Sequence, residues 1–224
     1  MPTNLRPLGD QAVLLNCANE EEASWLADGV RRAAGPWLVD VVQAYRSVAV
    51  FFDADKVCYA EAADALLRLN NGPATAAPAQ RPLHRIPCCY DLQLDLDHVA
   101  EQKGLTRDAV VRLHSECVYT VYAIGFCPGF PYLGYLPAEL QGVPRRGSPR
   151  LRVEAGSVGM TGTQTGIYTE ARPGGWHIIG RTPLELVNVR DEYFPLRTGD
   201  RVKFEPIGQA EYQRLLGTRL AVAT

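Results

Sequence analysis

Residues 11–16 (QAVLLN) form a short apolar run that predicts a β-strand. Asn19 then precedes Glu20, Glu21 and Glu22, which supplies an Asx cap, an acidic first turn and a Glu at the capping-box position. Leu26, Val30 and Ala33 continue at helical spacing until Gly35-Pro36 stops the helix. Residues 38–43 and 46–52 are rich in strand formers, and Ala63, Leu66 and Leu67 make the stripe of a second helix ending near Gly72-Pro73. The resulting order, β-α-β-β-α, predicts a small ferredoxin-like α+β layer. Residues 71–81 (NGPATAAPAQR) are small, polar and proline-containing, as a linker is. The boundary placed there divides the chain into residues 1–80 and 81–224.

The second part has a different pattern. A strand at 83–88 is followed by helical segments near 95–103 and 107–116. From Val118 onward the alternation suits a strand, and short apolar runs such as Trp176–Ile179 and Leu184–Asn188 sit between Gly- and Pro-rich turns. Thr198-Gly-Asp200 predicts a turn, and 201–205 a last strand. Many short strands with such turns predict a closed or sandwiched β structure, so the chain as a whole reads as α+β.

Composition narrows this picture. With 46% hydrophobic and 21% charged residues in 224, the chain has enough apolar material for a core. A net charge of −2 argues against non-specific binding to nucleic acid or an anionic membrane. The first residues lack the basic and apolar regions of a signal peptide, and Val48–Phe52 is far too short to span a bilayer. A cytoplasmic location with reduced thiols is therefore expected for the 6 cysteines. No CxxC or clustered histidine spacing predicts a metal site.

Five segments carry candidate chemistry. Residues 96–114 have a helix-turn-helix outline, but the second helix offers Arg107 and Arg112 beside Asp108 in an acidic chain. A packed helix pair, with His114 satisfied in the core, is the better reading. Gly125–Gly134 (GFCPGFPYLG) is a rigid aromatic loop able to wall a pocket, and Cys127 lacks a neighbouring base that would activate it. Arg145, Arg146, Arg150 and Arg152 lie close together and suit phosphate or carboxylate, or else a solvated loop. Gly156–Gly166 is dense in glycine and hydroxyl side chains and offers a weak signal for an anion nest, without a Walker lysine. In Pro173–Pro183, Trp176 and His177 are expected on opposite faces of a strand, with His177 a candidate acid or base.

Three long blocks carry a resemblance: GFCPGFPYLGYLP, PRRGSPRLRVEAGSVGMTGTQTGIY and PGGWHIIGRTPL. Together with Gly9-Asp10, Tyr45-Arg-Ser47 and Gly199-Asp200, they make the chain resemble the allophanate hydrolase subunit 1 family over nearly its whole length. The resemblance implies a ferredoxin-like N-terminal domain and a cyclophilin-like C-terminal β-barrel. It implies a component, inactive alone, of an ATP-dependent 5-oxoprolinase that opens 5-oxo-L-proline to L-glutamate. Its 5-oxoprolinase partners would be a biotin-dependent carboxyltransferase-like protein and a LamB/YcsF-like protein, with ATP and Mg bound here or at a partner. The alternatives implied are a KipI-like inhibitor of a sporulation-type histidine kinase, or a component of an allophanate or urea amidolyase-type hydrolase.

Carried onto this sequence, the resemblance gives His177, Gln164 and Tyr168 catalytic roles. Arg145, Arg146 and Arg150 would hold phosphate or a substrate carboxylate. The Gly162–Gly166 backbone would hydrogen-bond the lactam, and Phe130 and Tyr132 would wall the same pocket. The chain departs from the family pattern at Asp91–Asp95, at Glu154 and at Tyr135.

Overall fold

In the computed structural model the described residues are 4–33, 35–70 and 81–220, and they fall into two compact units within 1–80 and 81–224. The expected linker at 71–81 lies almost entirely outside them. The N-terminal unit runs β1 (Asn4–Pro7), β2 (Ala12–Asn16), α1 (Glu20–Ala33), β3 (Leu38–Ala44), β4 (Ser47–Phe52) and α2 (Tyr59–Asn70). Its strands form an antiparallel sheet of order β1-β2-β4-β3. The strand β1, which extends this sheet, has no counterpart in the predicted pattern.

At the start of α1 the capping box is made in a variant form, with Glu22 reaching the residue before the cap. Asn19 Oδ1 accepts from Glu22 N at 2.8 Å, and Glu22 Oε2 accepts from Ala18 N at 2.6 Å. Asn19→Ala is expected to cost about 1 kcal/mol, read as a lower urea midpoint by circular dichroism. The inner face of α1 carries Ala23, Leu26, Ala27 and Val30. That of α2 carries Ala62 and Leu66, whereas Leu67 is exposed. The buried stripe of α2 is therefore rotated from the predicted one: Ala62 and Leu66, four residues apart, face Leu15, Val50 and Phe52 in one apolar cluster.

The C-terminal unit contains β5 (Leu83–Cys88), α3 (Leu96–Lys103), α4 (Arg107–Glu116), β6 (Val118–Ile124), β7 (Pro131–Gly134), β8 (Arg150–Val153), β9 (Ser157–Thr161), β10 (Gln164–Ile167), β11 (Arg172–Gly174), β12 (His177–Arg181), β13 (Arg201–Pro206) and α5 (Gln209–Leu215). Seven strands form one sheet, β12-β9-β10-β7-β6-β13-β5. The sheet curls until its two ends approach. Beyond β5, Cys89 exchanges backbone bonds of 2.8 and 3.0 Å with Arg181 of β12. The result is a nearly closed barrel, which leaves few unpaired edges. Strands β8 and β11 pair separately as a two-stranded ribbon.

Alternation along the barrel strands separates two apolar groups. Met160, Ile167, Leu133, Ile179, Tyr119 and Phe204 fill one core together with Leu96 and Val99 of α3. Phe130, Tyr168, Trp176 and Ile178 form a second, aromatic cluster. Helices α3 and α4 pack within this unit, as a structural helix pair does.

His114, on α4, is completely buried. Its Nε2 lies 2.9 Å from Thr165 Oγ1, whose hydrogen goes to the Gly159 carbonyl at 3.0 Å. Thr165 must then accept from His114, so Nε2 carries the proton and Nδ1 accepts from the Tyr90 hydroxyl at 2.7 Å. Burial pushes the His114 pKa down to about 3. The histidine is thus a neutral core residue that bridges α4 to β10.

Candidate functional site

Residue alternation on β10 turns Thr165 and Ile167 into the barrel and leaves Gly166 facing the aromatic cluster. A Cβ at Gly166 would meet Pro131 O at 2.8 Å and the Phe130 and Trp176 rings at 3.0 Å. Absence of a side chain there lets the aromatic rings pack directly on the strand. Phe130 meets Tyr132, Tyr168 and Trp176 edge to face, with centroids 5.0, 5.3 and 5.5 Å apart. Phe126 joins them at 5.3 Å from Phe130 while remaining largely exposed.

These rings form one side of a cleft of about 240 Å³. Pro149, Pro173, Gly174, Gly175 and Arg145 complete its lining. The close wall depends on Gly174, since a Cβ there would fall 2.2 Å from the Tyr168 hydroxyl. Side chains with polar hydrogens in the lining are Arg145, Tyr132, Tyr168 and Trp176; no acidic side chain lines the cleft. Burial pushes both phenols up, and the nearby Arg145 charge pulls them down in part. At neutral pH both are hydroxyls able to donate. The cleft therefore combines apolar walls with hydrogen-bond donors, an arrangement that suits a small molecule with an apolar body and an anionic group.

The loop before β8 carries Arg145 and Arg146 and the strand opens with Arg150, and the structure separates them by role. Asp95, at the start of α3, is buried and accepts from Arg150 Nη1 and Nη2 at 2.7 and 2.8 Å and from Arg146 Nη1 at 2.8 Å. It also accepts from Ile178 N at 2.8 Å. Burial by itself would push the Asp95 carboxyl up, but the Arg150 bond, the Ile178 N–H and the two guanidinium charges outweigh it and hold it below the usual carboxylate range. Arg146 and Arg150 are thus paired inside the chain. No carboxylate among the described residues pairs Arg145.

His177 braces the same loop. Its Nε2 donates to Pro144 O at 2.9 Å, and its ring stacks on His98 of α3 at 5.0 Å. Burial lowers its pKa, with the Pro144 bond opposing, so the imidazole is neutral at pH 7. The backbone N–H of Arg146 donates to Gly175 O at 2.8 Å, tying the loop to the cleft wall.

The expected site residues accordingly divide. Phe130, Tyr132, Tyr168 and Arg145 line one cleft. His177, Gln164, Arg146, Arg150 and Gly162 do not line it, which corrects the expectation of a single pocket. Trp176 faces the aromatic cluster while His177 faces α3, as strand alternation requires. Gly162 lies in the β9–β10 turn with φ +57°, and Gln164 begins β10, at the far end of the hairpin from Tyr168. Sequence reasoning misses Asp95 as an organising residue. An acid before Leu96 looks like a helix cap, and its real partners lie 51 and 55 positions away.

The glycine-rich segment does not form an anion nest. Gly156 N donates to Tyr168 O, Ser157 N to Glu154 O and Gly162 N to Val143 O. The rest of the segment is largely engaged in the β9–β10 ladder. Arg146 and Arg150 are paired as well, so of the three arginines expected to hold phosphate Arg145 alone has no carboxylate partner among the described residues. The described residues also contain no helix long and apolar enough to cross a membrane.

Comparison with known proteins places the chain. A family model described as carboxyltransferase domain, subdomain C and D, matches residues 3–196. The B subunit of the 5-oxoprolinase of Bacillus subtilis (strain 168) is 33% identical over 230 residues, covering 93% of this chain and 94% of that one. Its counterpart in Escherichia coli O157:H7, also named as a 5-oxoprolinase B subunit, is 55% identical over 113 residues. That match spans 50% of this chain and 51% of the relative, about half the length of each. The urea amidolyase of Kluyveromyces lactis shares the fold, with a TM-score of 0.75 at 18% identity over 97% of this chain and 16% of that one. The family model matches most of the chain and one relative aligns with it almost end to end, so the chain belongs to the carboxyltransferase domain family, subdomains C and D.

Proposed function

We propose that this chain is the small-molecule-binding component of a multi-subunit, ATP-dependent 5-oxoprolinase that opens 5-oxo-L-proline to L-glutamate. The observation that carries this reading is the donor-lined aromatic cleft, found in a chain alignable over 93% of its length with a protein named as the B subunit of a 5-oxoprolinase. Opening the lactam adds water across an unreactive amide C–N bond, so the carbonyl must be activated. In this reading ATP and Mg²⁺ belong to partner proteins, which is supported by the internal engagement of Arg146, Arg150 and much of the Gly156–Gly166 backbone. Phe130, Tyr132 and Tyr168 receive the substrate, and Arg145 orients it. His177 holds the Pro144 carbonyl rather than moving a proton. The partners proposed are a biotin-dependent carboxyltransferase-like protein and a LamB/YcsF-like protein, all in the cytoplasm.

The test is glutamate release from 5-oxo-L-proline and Mg-ATP by the three purified proteins, with each component omitted in turn. Glutamate formed only by the complete mixture is the expected result, and the isolated chain should give almost none. An assembled complex that forms no glutamate overturns the reading.

A further inference from the structure

We propose that the aromatic cleft is, on this chain alone, a binding site for small cyclic monocarboxylates, and that Arg145 selects them by their carboxylate. The inference rests on the oxoprolinase reading only for its choice of 5-oxo-L-proline as one probe. Three observations support it independently of that reading. The cleft is lined by the rings of Phe130, Tyr168 and Trp176 together with two prolines and two glycines, which suits a compact apolar ring. Polar side chains in the lining can donate but carry no negative charge, so an anion meets no repulsion. Among the three neighbouring arginines expected to bind anions, Arg146 and Arg150 are tied to Asp95 while Arg145 has no carboxylate partner among the described residues.

The geometry also explains why Arg145 keeps its charge available. Asp95 anchors the loop after Arg145 through Arg146 and Arg150, His177 holds Pro144 just before it, and Gly175 O fixes the Arg146 backbone. The loop is thus held without engaging Arg145 itself. Arg145, Tyr132 and Tyr168 line the same cleft, and the Arg145 charge acts on both phenols. A carboxylate there would receive charge-assisted hydrogen bonds while the ring packs among the aromatics.

The experiment is titration of the purified full-length chain, followed by calorimetry and by the fluorescence of cleft-lining Trp176, with three probes. These are 5-oxo-L-proline, cyclopentanecarboxylate and 2-pyrrolidinone, which has the lactam ring but no carboxylate. Both acids should bind and 2-pyrrolidinone should bind far more weakly. Arg145→Gln should weaken both acids roughly 10- to 100-fold, the range for losing a charged hydrogen bond, and leave 2-pyrrolidinone unchanged. Arg145→Lys should recover part of the loss. Tyr168→Phe, which keeps the ring, should weaken the acids less than Arg145→Gln.

Equal affinity for 2-pyrrolidinone and the acids, an Arg145→Gln chain that binds as the wild type does, or no acid binding at millimolar concentration would each overturn the proposal. The two readings fail separately. Glutamate release by the complex without binding to the isolated chain removes this inference alone. Acid binding to the isolated chain without glutamate release by an assembled complex removes the oxoprolinase reading alone.

Discussion

Replacing Asp95 by alanine is expected to destabilise the protein by about 3 kcal/mol. That is the lower end of the range for removing one partner of a buried ion pair. The lower end applies because the Arg146 and Arg150 side chains keep 33% and 22% of their exposure and water can take up part of the loss. The Ile178 N–H, buried in the barrel wall, has no such recourse. Asp95→Asn, which keeps one accepting oxygen, should lose roughly half as much. The sign of the pH dependence follows from the direction of the shift. The folded-state carboxyl lies below its ordinary value, so its contribution is fully present above about pH 4 and is lost as the pH falls through the folded value. The gap between wild type and Asp95→Asn in urea unfolding should therefore be constant from pH 8 to about 5 and shrink below about 4. A gap that persists unchanged at pH 3 would contradict the ionised clamp.

His114→Ala should be the more damaging change, at about 3–5 kcal/mol. It opens a void beside Phe204, whose ring centroid is 4.6 Å from the imidazole, and leaves the Tyr90 hydroxyl without its acceptor and Thr165 Oγ1 without its donor. His114→Gln, whose amide can both donate and accept, should recover part of this. The linkage here occupies a different pH window. The folded pKa, about 3, lies below the ordinary 6.5, so the unfolded chain binds the extra proton between those values. Stability is full above about pH 6.5 and falls as the pH drops toward 3, by up to about 1.4 kcal/mol per unit. Thermal unfolding of wild type and His114→Ala between pH 7 and 4 tests this, because the variant should lack that slope. Equal slopes would mean that the histidine ionises without disturbing the core.

Local patterns make much of the fold readable. The cap at Asn19, the break at Gly35-Pro36 and the helices near 95–103 and 107–116 depend on neighbours within a few residues, and such signals survive in any context. The face of α2 is not readable in this way, because Leu67 looks as apolar as Leu66 and only the sheet decides which one is covered. The helix α5 escapes the pattern because Gln209–Leu215 has few apolar positions to show a period.

The candidate site is legible as segments, not as an arrangement. Aromatic residues near Pro128 and Pro131 point to a pocket wall, and Phe130 and Tyr132 line the cleft. The arginines cannot be sorted from sequence, since Asp95 reaches Arg146 and Arg150 only across the folded barrel. The glycines of 156–166 imitate an anion loop, yet Gly159 and Gly166 are small because aromatic rings lie against them.

The place of β13 in the barrel has a consequence for biosynthesis. This strand, residues 201–206, lies between β6 and β5 and pairs in parallel with β5, whose residues are made more than a hundred positions earlier. Until it emerges from the ribosome, β5 and β6 each keep an unfilled edge, and the core they enclose stays open to water. The nascent chain would therefore carry two adhesive strand edges through most of its synthesis. The N-terminal unit pairs its strands within its first 52 residues and bears no such delay. Interrupted translation before residue 206 would release an aggregation-prone fragment in which only that first unit is complete.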